Sequence, residues 1–317
     1  MTPAVSVVIP TYNGASFIRD AVLSALAQTR PPQEILLVDD GSTDETERVV
    51  ASIASETHIP IRFTRLPRNT GGPSKPLNVG VASALGDFIV TLDQDDLMRP
   101  RRIELSLRAL LTHPMCDLAI GHFSIIGFAE RDVSPIWPTA QFADLAGHID
   151  LTVDVCTLDS RAAFSALLIK TFSVSASNLS FTKRLWERVG GFDESIKICA
   201  DLDFVLKAVM HGQMLVINET LLDYRWSQAS AAHVNPSQTY LEATLARLRA
   251  AAARPDWAPE QRQVLEDAAL YAAKAALAKG EMTDLLLVAK TLLKVGRVRN
   301  VLRHLAPRSR LSASTGA

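Results

Sequence analysis

Three apolar, β-rich runs in the first hundred residues each stop at a polar cluster. Val5-Ser6-Val7-Val8-Ile9 ends at Pro10-Thr11-Tyr12-Asn13. Glu34-Ile35-Leu36-Leu37-Val38 ends at Asp39-Asp40-Gly41-Ser42-Thr43-Asp44, and Phe88-Ile89-Val90-Thr91-Leu92 ends at Asp93-Gln94-Asp95-Asp96. Runs of this length, bounded by turn residues, read as buried strands. Between the first two, roughly over 15–27, Phe17, Ile18, Ala21, Val22, Ala25 and Leu26 recur at helical spacing. Strand, helix and strand in that order imply parallel strands joined by a right-handed crossover. Ligands of open parallel sheets bind just beyond the carboxyl ends of the strands. All three polar clusters lie at such ends.

The third cluster puts Asp93, Asp95 and Asp96 within four positions. Like charges this close raise one another's pKa. A hard divalent cation relieves them, because it accepts oxygens from one or two carboxylates and completes its shell with phosphate and water. The bland alternative is an acidic surface turn.

Taken together, Val-Ser-Val-Val-Ile-Pro-Thr-Tyr-Asn (5–13), Leu-Val-Asp-Asp-Gly-Ser-Thr-Asp (37–44), Asn69-Thr70-Gly71-Gly72 and Asp93-Gln94-Asp95-Asp96 resemble the motifs of family 2 glycosyltransferases. The resemblance covers roughly residues 4–230. It implies the GT-A fold, an α/β architecture with a Rossmann-like, mostly parallel central sheet and flanking helices. The expected division is a nucleotide-sugar-binding half over 1–110, an acceptor-binding half over 111–235 and a helical C-terminal extension over 236–317. The implied reaction is metal-assisted single displacement with inversion. A sugar leaves a nucleotide diphosphate, UDP- or dTDP-linked, for a hydroxyl of a glycan, lipid-linked or small-molecule acceptor. Mg²⁺ or Mn²⁺ is the implied cofactor.

The same resemblance assigns roles residue by residue. Pro10, Thr11 and Tyr12 match the loop over the base, with the Tyr12 ring as a stacking surface. Asp39 matches the residue that accepts the imide N–H of uracil or thymine, with Asp40 beside it; an Asx-turn or helix-capping role is the structural alternative. Asp95 and Asp96 match the carboxylates that hold the cation and touch the ribose, and Asp93 acts with them or orients them. Lys75 and Asn78 belong to the stretch that reaches the diphosphate, but Leu77 stands where relatives carry Arg. Asp201 matches the base that deprotonates the acceptor. Ala200 replaces the usual preceding Glu, and the alternative is that Asp201 and Asp203 only complement a helix dipole. His233 follows the Tyr224-Arg225-Trp226 strand, where a surface histidine is the simpler assignment. His122 reads as a satisfied core residue, and Trp137 and Trp226 suit sugar stacking or packing equally.

Composition narrows the alternatives. The 317 residues are 48% hydrophobic and 21% charged, ordinary for a globular chain. A formal net charge of −1 gives no field that would gather nucleic acid. Cys116, Cys156 and Cys199 lack metal-ligand spacing and are expected as buried thiols in a reducing compartment. No apolar run approaches bilayer length, no signal peptide is expected, and the Gln-x-x-Arg-Trp motif of processive synthases is missing, with Leu222 in the Gln place. A cytoplasmic location follows as the expectation. Peripheral contact with the inner membrane face stays open, through the basic Lys290, Lys294, Arg297, Arg299 and Arg303 of the tail. Packing of the tail on the catalytic domain and a homodimer are the other options. A nucleotidyltransferase is disfavoured, since 10–14 lacks a basic Gly-rich phosphate loop. A catalytically degenerate nucleotide or glycan binder is kept open by Leu77 and Ala200.

Further elements are expected as strands over 61–66 and 118–123. Helices are expected over 77–85, from Pro100 to about 111, over 184–189 up to Gly190, and over 201–211. Residues 129–175 are expected as irregular, acceptor-side chain. Three or four helices, broken at Pro255 and Gly280, are expected in the tail.

Overall fold

Every residue of β1 (Val5–Thr11) and β2 (Glu34–Asp39) is buried. Parallel strands covered on both faces have this character, and it explains their unbroken apolar runs. The computed structural model describes residues 3–127, 150, 152–169, 175–226, 234–254, 256, 257, 267 and 270. β1 pairs in parallel with β2 on one side and with β4 (Phe88–Thr91) on the other. β3 (Ile61–Arg65) extends the parallel part beyond β2. The crossovers are α1 (Ile18–Leu26), α2 (Thr46–Ala54) and α3 (Ser74–Ser83).

Beyond β4 the sheet turns mixed. The two-residue β5 (Leu97–Met98) and α4 (Arg102–Thr112) come first in the chain, then β6 (Cys116–Ile126) and β7 (Val155–Leu158). α5 (Ser160–Ile169), β8 (Ser180–Thr182), α6 (Lys183–Val189), α7 (Ala200–Val209) and β9 (Gln213–Arg225) follow. The strand order is β3-β2-β1-β4-β8-β6-β9-β5, with β7 also on β9. β8 runs antiparallel to both β4 and β6, and β6 and β9 are parallel. One sheet therefore joins the two halves expected from sequence.

Local signals explain the ends. The Thr182 hydroxyl accepts the Leu185 N–H at the start of α6, and Gly190 ends it with φ +77°. Pro236 opens α8 (Pro236–Ala253) at a position where no N–H is needed. Helices α3, α5, α7 and α8 cover one face of the sheet, where Leu77, Phe164, Phe204 and Leu245 are buried together. Helices α1, α2 and α4 cover the other, with Ile18, Val50 and Ile103. The first helix of the expected tail thus packs on the same core as α3, α5 and α7. Residues 271–317, with their basic positions, lie outside the described residues.

One expectation is corrected. Within the stretch expected as irregular, 155–158 is strand and 160–169 is helix. Ala163, Phe164, Leu167 and Leu168 are buried at helical spacing. The segment is short, and its pattern is outweighed by the polar, proline-containing residues before it. Residues 128–149, including Trp137, lie outside the described residues.

Gly80 lets α3 lie directly on β1. A Cβ there would stand 2.4 Å from Val8 Cγ1 and 3.4 Å from Val38 Cγ2. Gly80→Ala is expected to destabilise the fold by about 1–3 kcal/mol through overpacking, measured as a lower urea midpoint with an unchanged m-value. An unchanged midpoint would show that this contact is loose.

Candidate active site

The rim of the parallel sheet is stitched together by short polar side chains. Thr11 and Asp39 sit side by side in register. Gln94, one residue into the acidic loop, accepts the Thr11 hydroxyl at 2.7 Å and the Tyr12 N–H at 2.9 Å, and donates to the Tyr12 carbonyl at 3.1 Å. The ends of β1 and β4 are thereby locked, and the Tyr12 ring is left 42% exposed at the edge. Pro10 is buried beneath it. Asn13 adopts φ +48° and links to the next loop, its Oδ1 accepting the Thr43 N–H at 2.8 Å.

Asp39 is fully enclosed. It accepts the Ser42 N–H at 3.0 Å and the Ser42 hydroxyl, with the Arg65 guanidinium 3.6 Å away. This is the Asx-turn arrangement; a carboxylate offers about four lone-pair sites, so acceptor capacity remains. Asp40 accepts the Thr70 N–H and hydroxyl, each at 2.9 Å, and so pins the 69–72 loop against the rim.

The acidic cluster is a single electrostatic unit. Ser177 Oγ accepts the Asp93 N–H at 2.7 Å. Asp96 Oδ1 accepts the Arg225 N–H at 2.7 Å, while Arg225 Nε donates to the Asp95 carbonyl at 2.8 Å. Asp201 enters from the first turn of α7. Burial pushes the Asp93 carboxyl up to about 7, with the charges of Asp95 and Asp201 adding to the effect. Burial also raises Asp201 to about 6, against hydrogen bonds from nearby backbone N–H groups. Asp95 is raised by burial with Arg225 opposing, and Asp96 is raised well above the usual range by burial, Asp93 and Asp95. The Tyr224 hydroxyl is held protonated by burial and by the charges of all four aspartates. Carboxylates a hundred residues apart in sequence therefore share one field.

Beneath the cluster lies a residue with no signature in the sequence. Arg102, in the first turn of α4, is fully buried. Its Nη2 donates to the Thr91 and Leu179 carbonyls at 2.9 and 3.2 Å, while Nε and Nη1 have no hydrogen-bond partner among the described residues. Asp96 and Asp93 supply its countercharge. Gln94, Ser177, Tyr224 and Arg225 were likewise not foreseen, since their roles arise where loops meet.

Two expected residues are spent elsewhere. The Asn78 carboxamide accepts the Trp186 indole N–H at 3.1 Å and the Phe192 N–H at 2.9 Å, and donates to the Phe192 carbonyl at 2.9 Å. Lys75 pairs with Glu194 at 3.2 Å, both about half exposed. Leu77 is core. Asp203 is buried and pairs with Lys207 at 2.6 Å, one turn along the same helix. His122 is half-buried and bonded to Asn218 at 3.0 Å. His233 lies outside the described residues.

The donor set fits a divalent cation of one kind. Among the described residues Asp96 Oδ2 is buried without a hydrogen-bond partner, and Asp93 and Asp95 raise its pKa. Yet no group of three or more His, Cys, Asp or Glu among the described residues converges as a closed metal cage. Such a site suits an ion that takes one or two protein carboxylates and completes its shell from phosphate and water.

The family 2 glycosyl transferase model matches residues 6–168, just over half of the chain. The chain belongs to this family. It is a glycosyltransferase with the GT-A fold. An uncharacterized glycosyltransferase of Rickettsia prowazekii is 28% identical over 238 residues, 75% of this chain and 68% of its own length. Chondroitin synthase of Pasteurella multocida is 27% identical over 217 residues, 68% of this chain but only 20% of the synthase. Among solved structures, Staphylococcus aureus TarS residues 1–349 in complex with UDP-GlcNAc superposes with a TM-score of 0.59 at 18% identity. That superposition covers 95% of this chain and 91% of that one, a likeness of fold. No helix among the described residues is long and apolar enough to cross a membrane.

Arg102→Met in this glycosyltransferase removes the cation and leaves Asp93 and Asp96 uncompensated. The expected cost is about 3–5 kcal/mol, read by chemical denaturation at neutral pH. A loss no larger than that of an exposed arginine would show that the carboxylates do not depend on it.

Proposed function

We propose that this glycosyltransferase moves a sugar from a UDP- or dTDP-linked donor to an acceptor hydroxyl with inversion, using Asp201 as the base. The observation that carries this is the meeting of Asp201, at the start of α7, with Asp93 and Asp95 at the end of β4 in one field around Tyr224. On this reading the donor-side and acceptor-side carboxylates act within one field. UDP-GlcNAc, named in the TarS complex, is the first donor to test.

On this reading Tyr12 stacks on the base and Asp39 accepts its imide N–H. Asp95, with Asp96 as the second candidate, holds Mg²⁺ or Mn²⁺, which when bound would neutralise charge on the diphosphate. Asp201 accepts the proton of the acceptor hydroxyl. The oxygen attacks the anomeric carbon from the face opposite the diphosphate, which leaves with the bonding electron pair. One displacement inverts the centre without a covalent enzyme intermediate. Burial suits Asp201 to the task, because a base of pKa about 6 is stronger than an ordinary aspartate and still ionised at neutral pH. The acceptor is a hydroxyl of a glycan, a lipid-linked sugar or a small molecule.

Asp201→Asn is expected to lower turnover roughly 10²–10⁴-fold while calorimetric UDP affinity in the presence of Mn²⁺ is retained. Near-normal turnover in this variant would remove Asp201 from the mechanism. The base works only when ionised, so kcat/KM should fall as pH drops through about 6. A profile flat down to pH 4.5 would place the titrating base elsewhere.

A further inference from the structure

We infer that Glu242, in the helical extension, is the positioning residue for Asp201, and this rests on the assignment of Asp201 as the base. α7 begins at Ala200, and the side chain of its cap residue Cys199 makes no capping hydrogen bond to the helix, donating instead to the Thr239 carbonyl at 3.3 Å. The first backbone N–H groups of a helix, and those of the turn leading into it, need acceptors from somewhere. Here they come from another helix. The Glu242 carboxylate, buried at 9% exposure, accepts the N–H of Lys197 at 3.1 Å, of Ile198 at 2.7 Å and of Cys199 at 3.1 Å.

The carboxylate is itself held in place. Gln238, one turn earlier in α8, donates to Glu242 Oε1 at 3.0 Å. Leu241 and Leu245 on either side are buried in the core shared with α7. Charge-assisted bonds of this kind are stronger than neutral ones, and a buried anion at a helix start also meets the positive end of its dipole. Ala200, buried next to the base, has no polar group that could do this. The held turn reaches the donor side too. Lys197 Nζ donates to the Thr70 carbonyl at 2.8 Å, in the loop pinned by Asp40. Glu242 therefore fixes the turn two residues before Asp201 and, through Lys197, its separation from the donor loop. The extension becomes part of the catalytic unit, although the family match ends at residue 168.

The test uses the full chain with Mn²⁺ and a panel of UDP-sugars, reading UDP release with the best donor. Glu242→Gln keeps the shape but turns amide hydrogens toward backbone donors. Its kcat is expected to fall roughly 10–100-fold, the scale of a small misplacement of a reacting group, with the donor KM and UDP affinity unchanged. Wild-type kcat in Glu242→Gln, or a matching loss of UDP affinity, overturns the positioning role. Asp201→Asn run in parallel separates the two claims. If it keeps its turnover, the base assignment falls and this inference with it. If it is inactive while Glu242→Gln is normal, only the inference falls. In the wild-type protein, the amides of 197–199 should exchange hydrogen slowly, and exchange at the rate of an open loop overturns the role whatever the variant's folding.

Discussion

A guanidinium sealed inside the protein carries the acidic end of this sheet. Arg102 has its side chain wholly buried, donates to the Thr91 and Leu179 carbonyls, and lies in the field of Asp93 and Asp96. Arginine does not shed its proton to escape such a position, so the loop after β4 must keep its carboxylates facing inward. Replacing one partner of such a buried set leaves an unpaired charge, which costs far more than the pair contributes. The buried charges of Arg102 and of the aspartates are thereby coupled to one another.

Around that charge the site is assembled from loops that different parts of the chain hold still. Gln94 ties the acidic loop to β1, Asp40 ties the 69–72 loop to β2, and Arg225 brings in the end of β9 through the Asp95 carbonyl and the Asp96 carboxylate. Several of these side chains are the motif residues themselves. A carboxylate that shapes its own loop is pre-organised, which limits the ordering needed when a ligand arrives. Asp39 shows the same economy, since its carboxylate builds the turn after β2.

Much of this was legible in the chain. Apolar runs and the 3.6 period marked most strands and helices of the first 110 residues, and Gly190 marked a helix end correctly, because propensity and turn chemistry are local. The acidic motif and its place at a strand end were equally plain. Helix α5 was missed because a ten-residue pattern next to polar, proline-containing sequence gives a weak signal. Lys75 and Asn78 were placed on the diphosphate stretch with a solvated lysine and a capping asparagine as alternatives, and in the structure they join α3 to the 192–194 loop. Nothing in the local sequence distinguishes an asparagine that caps a distant loop from one that waits for a phosphate.

What the sequence alone determined is the strand–helix–strand unit at the N-terminus, its parallel pairing and the place of the acidic clusters at strand ends, since each follows from apolar runs, turn residues and charge along the chain. Tertiary structure decided which of those carboxylates meet, that Arg102 lies beneath them, and that Glu242 of a later helix receives the turn before Asp201. The reason is physical. Burial sets both the pKa values and the need for partners, and burial exists only once segments a hundred residues apart have packed together.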